Sequence, residues 1–410
     1  MSKRVVVSGM GLITPIGTGK DKFWEAAKKG TNGVLPISSF DTTDYRSKTG
    51  GEVKDFTASD YLRDEEINFM GKAGQFAVAA AKMALDDAKL SIKDVNPYRV
   101  GVSMGTTMGE PQVIQQILAK NQKDKRIINN VEKDEARKYP ASTIPANISR
   151  FIGAKGQTTL IPTACAAGNY AIGYAMDLIK MGRLEYVIAG GSDPFASIAF
   201  CGFNRLLATT LDVCRPFDLN RGGMAVAEGA AVIVMETLES ALARGAQIYG
   251  EVLGYGLGCD AYDMTAPHPE GNGGIMAMER AVAHSKISKK DVNYICAHGT
   301  GTPANDKSET KIAKIVFGED AYKIPMSSLK SMMGHTMGAA SAIEAAASLL
   351  MMKENKMLPT INYETPDPDC DLDYVPNTVR EAELNIVISN AYAFGGNTSA
   401  IVLKKYVKGE

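Results

Sequence analysis

Histidine is scarce in this 410-residue chain: there are only four, so histidine-dependent chemistry has few candidates. The six cysteines stand far apart, at positions 165, 201, 214, 259, 296 and 370, with no Cys-x-x-Cys pair. That excludes a zinc ribbon and a small disulfide-stapled scaffold, and it fits reduced thiols in a cytoplasm. No apolar run is long enough to cross a bilayer, and no apolar leader precedes the strand-like run from Arg4 to Val7, so no membrane role is expected. Charge is nearly balanced, at −1, which argues against a general nucleic-acid binder. Lys120, Lys123, Lys125 and Arg126 form a local basic stretch that reads as a solvated helix face. What the chain does have is 45% hydrophobic and 22% charged residues, enough for a large packed core.

Two parts of the chain look alike. Val100 to Thr107 and Tyr294 to Thr302 are each an apolar strand ending in a small, Gly/Thr-rich turn. A helix rich in small residues follows in each part, over 166–181 and 337–352. Each part then has a further apolar strand associated with a Gly pair, at Gly190-Gly191 and Gly395-Gly396. Strands alternating with helices imply βαβ units and a sheet covered on both faces. Helices so poor in polar residues must be packed from several sides, so both are expected at the centre of a layered sandwich. Segments 23–29, 71–90 and 272–285 read as amphipathic helices, 112–139 as a helical excursion, and the Pro- and Asp-rich stretch 357–376 as a loop.

Cys165 lies where the strand-like run Thr158 to Ile161 gives way to the first small-residue helix. A thiol at a helix N-terminus meets unpaired N–H groups and the positive end of the dipole, and both favour the nucleophilic thiolate. Cys201, Cys259 and Cys296 read as inert core residues. His298 and His335 sit in Gly-flanked turns, where active sites of layered α/β proteins collect; His268 and His284 read as loop and surface residues. Lys330 is either a solvated lysine or a charge held in the site, and its place before a buried helix favours the second. Glu344, inside that helix, needs a partner, and Lys330 or a backbone amide is the expected one. Gly395-Gly396 is either a simple tight turn or a close approach to ligand. In the second case an N–H there could join that of Cys165 in an oxyanion hole. Asp306 and Glu309 read as structural charges rather than a metal site.

These motifs, with Arg4 to Gly11, Arg215-Pro216-Phe217-Asp218 and Phe394-Gly395-Gly396-Asn397, make the chain resemble the β-ketoacyl–acyl-carrier-protein synthases nearly end to end. These are the elongating condensing enzymes of the thiolase superfamily, and the likeness is closest to those of the type II fatty-acid synthase, which implies fatty-acid biosynthesis, and to the related polyketide ketosynthases. The resemblance implies an α/β protein with a thiolase-like five-layer α/β/α/β/α sandwich of two similar halves. Residues 1–250 would carry the nucleophile and 251–410 the two histidines. It implies that Cys165 takes an acyl group from the phosphopantetheine arm of an acyl carrier protein. His298 and His335 then assist decarboxylation of malonyl carrier protein, with Lys330 as a supporting charge. The N–H groups of Cys165 and Phe394 would hold the oxyanion, and Phe394 would gate the site. Met224, Thr300, Thr302, Met333, Glu344, Tyr392 and Gly395 are expected to line or support the pocket. No bound cofactor or metal is expected. The partners implied are the carrier protein and either a second identical chain or a chain-length-factor-like homologue.

The chain departs from the family pattern at Ala167, Arg221 to Met224, Leu329, Met333 and Ala393. Most of these changes fall in or beside the expected acyl pocket, which points to a specialised acyl chain, such as a polyketide or polyene. An acyl-CoA thiolase shares the fold but usually carries a second active-site Cys in its C-terminal Gly-rich motif, absent here. A non-catalytic chain-length factor would typically lack the nucleophile.

Overall fold

The structure, a computed structural model, describes residues 3–120 and 131–409. Its first half runs β1 (Val5–Thr14), α1 (Lys72–Ala88), β2 (Val100–Gly105), α2 (Thr143–Ile152), β3 (Thr158–Ile161), α3 (Ala167–Lys180), β4 (Tyr186–Asp193) and β5 (Gly229–Thr237). The second half repeats that alternation. It runs β6 (Gly250–Cys259), α4 (Asn272–Ser285), β7 (Tyr294–Cys296), α5 (Pro303–Phe317), β8 (Met326–Ser327), α6 (Ala340–Glu354), β9 (Ile386–Tyr392) and β10 (Asn397–Lys404).

Strand order repeats as well. The first half is ordered β3-β2-β4-β5-β1 and the second β8-β7-β9-β10-β6. In each half four strands run the same way and one, β5 or β10, runs antiparallel between two of them. The halves join through β1 and β6 by the pairs Val6 with Glu251 and Val7 with Gly250. Helices α3 and α6 touch each other and strands of both halves, whereas α1 and α4 cover the outer faces. This is the thiolase-like five-layer sandwich. Helix α6 shows why it must be central: residues 340 to 352 are buried all round, so it has no face to give to water.

The outer helices sit unusually close to the sheet because the first strand of each half carries glycines beneath them. A Cβ on Gly11 would lie 2.1 Å from the Ala80 carbonyl oxygen, and one on Gly256 would lie 1.9 Å from that of Ala277. Gly256→Ala should therefore push α4 off β6 and destabilise the protein by about 1–3 kcal/mol, read by chemical denaturation.

Several expectations need adjusting. The small-residue helix of the second half begins at Ala340, after a 3-10 turn at Met337–Ala339, and the turn Ala164–Ala166 stands in the same relation to α3. Both turns hold a non-glycine residue at positive φ, Ala164 at 48° and Met337 at 54°. Within 112–139 the described residues, 112–120 and 131–139, hold the helices Pro111–Lys120 and Lys133–Ala136. Lys120 pairs with Glu135, while Lys123, Lys125 and Arg126 lie outside the described residues. Cys201 and Cys259 are exposed, not core residues, because each falls on the solvent side of its element; Cys296 is buried as expected. Among the described residues no helix is long and apolar enough to cross a membrane.

Candidate active site

Cys165 ends a tight strand-to-helix turn. Positive φ at Ala164 bends the chain sharply, so the thiol projects beside the start of α3 instead of lying within it. The expected resident thiolate does not survive this setting. Burial pushes the thiol up to about 12; Lys330 draws it down and Asp193 pushes it further up. Burial is the largest influence on the thiol and holds the proton on sulfur, so the proton leaves as the sulfur attacks.

His298 follows β7 and His335 follows a short helix, Lys330–Met333. The His298 turn is fastened by Glu309, whose two oxygens accept the N–H groups of His298 and Gly299 at 2.8 Å each. Asp306 accepts the N–H groups of Phe217 and Gly301 in the same way. Among the described residues no His, Cys, Asp or Glu cluster has metal-site geometry. The His335 turn is stitched to the first half: its N–H donates to the Ala225 carbonyl, and its carbonyl accepts the Ala227 N–H.

The two imidazoles meet edge to face, 5.3 Å between ring centres. Each uses Nδ1 toward the protein: the Lys330 ammonium lies 3.4 Å from His298 Nδ1, and the Met337 N–H donates to His335 Nδ1 at 3.2 Å. Both protons are thereby assigned to Nε2. Burial, and then the Lys330 charge, hold both histidines well below 6.5, so both are neutral rings. Two neutral N–H donors side by side suit an oxygen on which negative charge develops.

Lys330 has no solvent exposure and is ion-paired to the equally buried Glu344. Burial pushes the Glu344 carboxyl up to about 7 against the pull of the lysine. Removing one partner leaves the other charge uncompensated. Lys330→Met should thus cost about 3–5 kcal/mol, and pairing it with Glu344→Leu should recover most of that loss. Denaturation curves of the single and double variants check this.

Cys165, His298 and His335 open together onto one pocket of about 350 Å³. Met224, Thr300, Thr302, Tyr392 and Phe394 line it as well. Phe394 stands at the rim, 36% exposed, its ring 5.5 Å from that of Phe203. Of the residues expected to line or support the pocket, Met333 and Gly395 lie elsewhere, and Glu344 stands behind the wall as the support for Lys330. Met333 is packed in the core. Gly395 turns away to donate its N–H to the Met264 carbonyl. The sequence reading missed two lining segments, Leu206 to Ala208 and Asp263 to Pro267. Both are irregular, and exposed residues such as Met264 and Leu207 carry no pattern that separates them from ordinary surface.

Comparison with known proteins bears on this arrangement. Residues 2–241 match the model for the β-ketoacyl synthase N-terminal domain, and residues 249–364 match that for the C-terminal domain. A 3-oxoacyl-[acyl-carrier-protein] synthase 2 of Synechocystis sp. is 42% identical, covering 98% of each chain. One from Staphylococcus aureus is 40% identical, covering 99% of each. Among solved structures, the ishigamide ketosynthase/chain length factor superposes with a TM-score of 0.96 at 40% identity, covering 99% of this chain and 100% of that one. A type II polyketide ketosynthase bound to its acyl-carrier protein (AntDE:AntF) superposes at 0.92 and 34%, with the same coverage.

Proposed function

The chain belongs to the β-ketoacyl synthase family, and on that premise we propose that it condenses malonyl carrier protein with an acyl group held on Cys165, releasing carbon dioxide. The observation that carries this reading is the convergence of Cys165, His298 and His335 on one pocket. In the first half-reaction the Cys165 sulfur attacks the acyl thioester of a carrier's phosphopantetheine arm. The S–acyl bond forms, and the arm's sulfur leaves with the proton. In the second, the bond to the malonyl carboxylate breaks and its electron pair becomes an enolate. His298 and His335 donate Nε2–H bonds to the thioester oxygen as that charge grows. The enolate carbon attacks the acyl carbonyl, the N–H groups of Cys165 and Phe394 hold the oxyanion, and the Cys165 sulfur departs. Phe394 at the rim separates the two steps, and Lys330 supports the histidines without touching substrate. Residues 1–250 and 251–410 act as the two halves of this one site. The protein holds no cofactor of its own, since its substrates arrive on the carrier's arm. All six cysteines are free, which supports a reducing, cytoplasmic setting.

Full-length identity to 3-oxoacyl-carrier-protein synthases supports a role in fatty-acid elongation. A second reading, the catalytic ketosynthase of a type II polyketide or polyene system, is favoured by the likeness to the ishigamide ketosynthase/chain length factor. In either case a second ketosynthase-type chain is the partner. Among the described residues strand β3 pairs only with β2, and most of its residues are half-exposed, so an open sheet edge is available to another strand.

The test is intact-mass spectrometry after incubation with a panel of acyl carrier proteins. An acyl adduct mapping to Cys165 is expected, and the acyl group preferred separates the two pathways. No adduct from any donor, with the protein folded and its partner chain supplied, would sink the reading.

A further inference from the structure

Asp193 closes β4 with no solvent exposure. Its carboxylate collects four donors. Oδ1 accepts the Thr106 hydroxyl at 2.8 Å and the Met108 N–H at 3.1 Å; Oδ2 accepts the N–H groups of Thr107 and Gly338 at 2.7 Å each. Three of these come from the end of β2, in the same half. The fourth comes from the other half, from the turn that follows His335. Gly338 comes so near that a Cβ there would lie 2.6 Å from Asp193 Oδ2.

The residue before Gly338 is Met337, held at φ 54°, a left-handed conformation that a side chain disfavours by about 1–2 kcal/mol. Such strain persists only where the surroundings over-determine it. Met337 also supplies the N–H that bonds His335 Nδ1. The anchor, the strained residue and the imidazole thus form one chain of contacts.

We propose that Asp193 is a positioning residue for condensation: by holding the Gly338 N–H it keeps the Met337 N–H on His335 Nδ1, and so keeps the His335 proton on Nε2. This rests on the reading of His335 as a donor to the substrate thioester. A carboxylate suits the task because it offers acceptor sites on both oxygens and makes charge-assisted bonds. An asparagine is a poor replacement: whichever way its amide turns, the NH2 faces backbone N–H groups, either that of Met108 or those of Thr107 and Gly338, which then lose their acceptor. Burial pushes the Asp193 carboxyl up to about 6 while its four donors hold it down, so it is ionised at neutral pH.

The test combines ¹⁵N NMR of the histidine-labelled full chain with separate assays of the two half-reactions. His335 is assigned by its loss in His335→Ala. In the unmodified protein Nε2 of His335 should be protonated and Nδ1 bare. Asp193→Asn should mix or invert that pattern and lower malonyl decarboxylation about 10- to 100-fold, the scale of lost outer-shell support, while Cys165 acylation changes less than about threefold. Should Asp193→Asn not fold, the unmodified spectrum still decides, and Gly338→Ala disturbs the same contact from the other side. A proton on Nδ1 in the unmodified protein overturns the proposal. So does an Asp193→Asn variant in which acylation and decarboxylation fall together while the His335 tautomer stays put. An unmodified protein that neither acylates nor decarboxylates would count against the proposed function, with the tautomer readout still standing.

Discussion

Cys165→Ala is expected to abolish both acyl transfer and condensation while the protein stays folded. Among the described residues lining the pocket, Cys165 carries the one thiol, and it is the group proposed to hold the acyl chain between the two half-reactions. Cys214, Cys296 and Cys370 are buried in other packing, and Cys201 and Cys259 face solvent. Structurally the change removes one atom from a small side chain, so the stability loss should be on the order of 1 kcal/mol. The measurement pairs intact-mass detection of the acyl adduct with thermal unfolding. An adduct that persists in the variant, or elongation that continues, would remove Cys165 from the mechanism. The elevated thiol value adds a kinetic expectation. With burial holding the proton on sulfur, acylation should speed up as pH rises through the range from 6 to 9, without a plateau at an ordinary thiol value of 9.

His298→Ala and His335→Ala are each expected to lower malonyl decarboxylation about 10²- to 10⁴-fold, the range for a positioned proton donor in a buried site. The two losses should not simply add, because the rings share one oxygen and one lysine field. Carbon dioxide release from malonyl carrier protein, measured apart from condensation, checks this. Unchanged release in both variants would leave the histidines without a role. Their charge state is a separate readout. Burial and Lys330 depress both groups, so lowering the pH from 8 through 6.5 leaves them neutral, and their ring resonances should not titrate there. A midpoint near 6.5 for either ring would contradict the buried, donor-only geometry.

Much of the fold was legible because its signals are local. Val5-Val6-Val7 and Ala231 to Val234 are continuous apolar runs, as strands buried on both faces must be, and both lie in strands. The small-residue composition of 340–352 announced a helix packed on every side. The glycines of β1 and β6 were not read as a sign of helix docking. Their effect depends on a helix that approaches from elsewhere, and nothing in the strand itself distinguishes them from turn glycines.

The site divides in the same way. Cys165, His298, His335 and Lys330 stood out by residue type and by their turns, and the pairing of Lys330 with Glu344 followed from the cost of burying either charge alone. Met333, Gly395 and the two lining loops were not legible, because whether a residue faces a pocket or the core depends on neighbours distant in the chain. The thiol was misjudged for a related reason: the helix terminus is visible in sequence, whereas the depth of burial that opposes it is not.

By itself, then, the sequence determined the alternation of strands and helices, the two-fold internal repeat and which side chains are proposed as the reacting groups. These follow from residue type and short-range spacing. Only the tertiary structure decided which tautomer each histidine adopts, how high the thiol is pushed, and that Asp193 reaches across 145 residues to Gly338. Those properties arise from burial and from contacts between the two halves, which exist only once both halves have closed around α3 and α6.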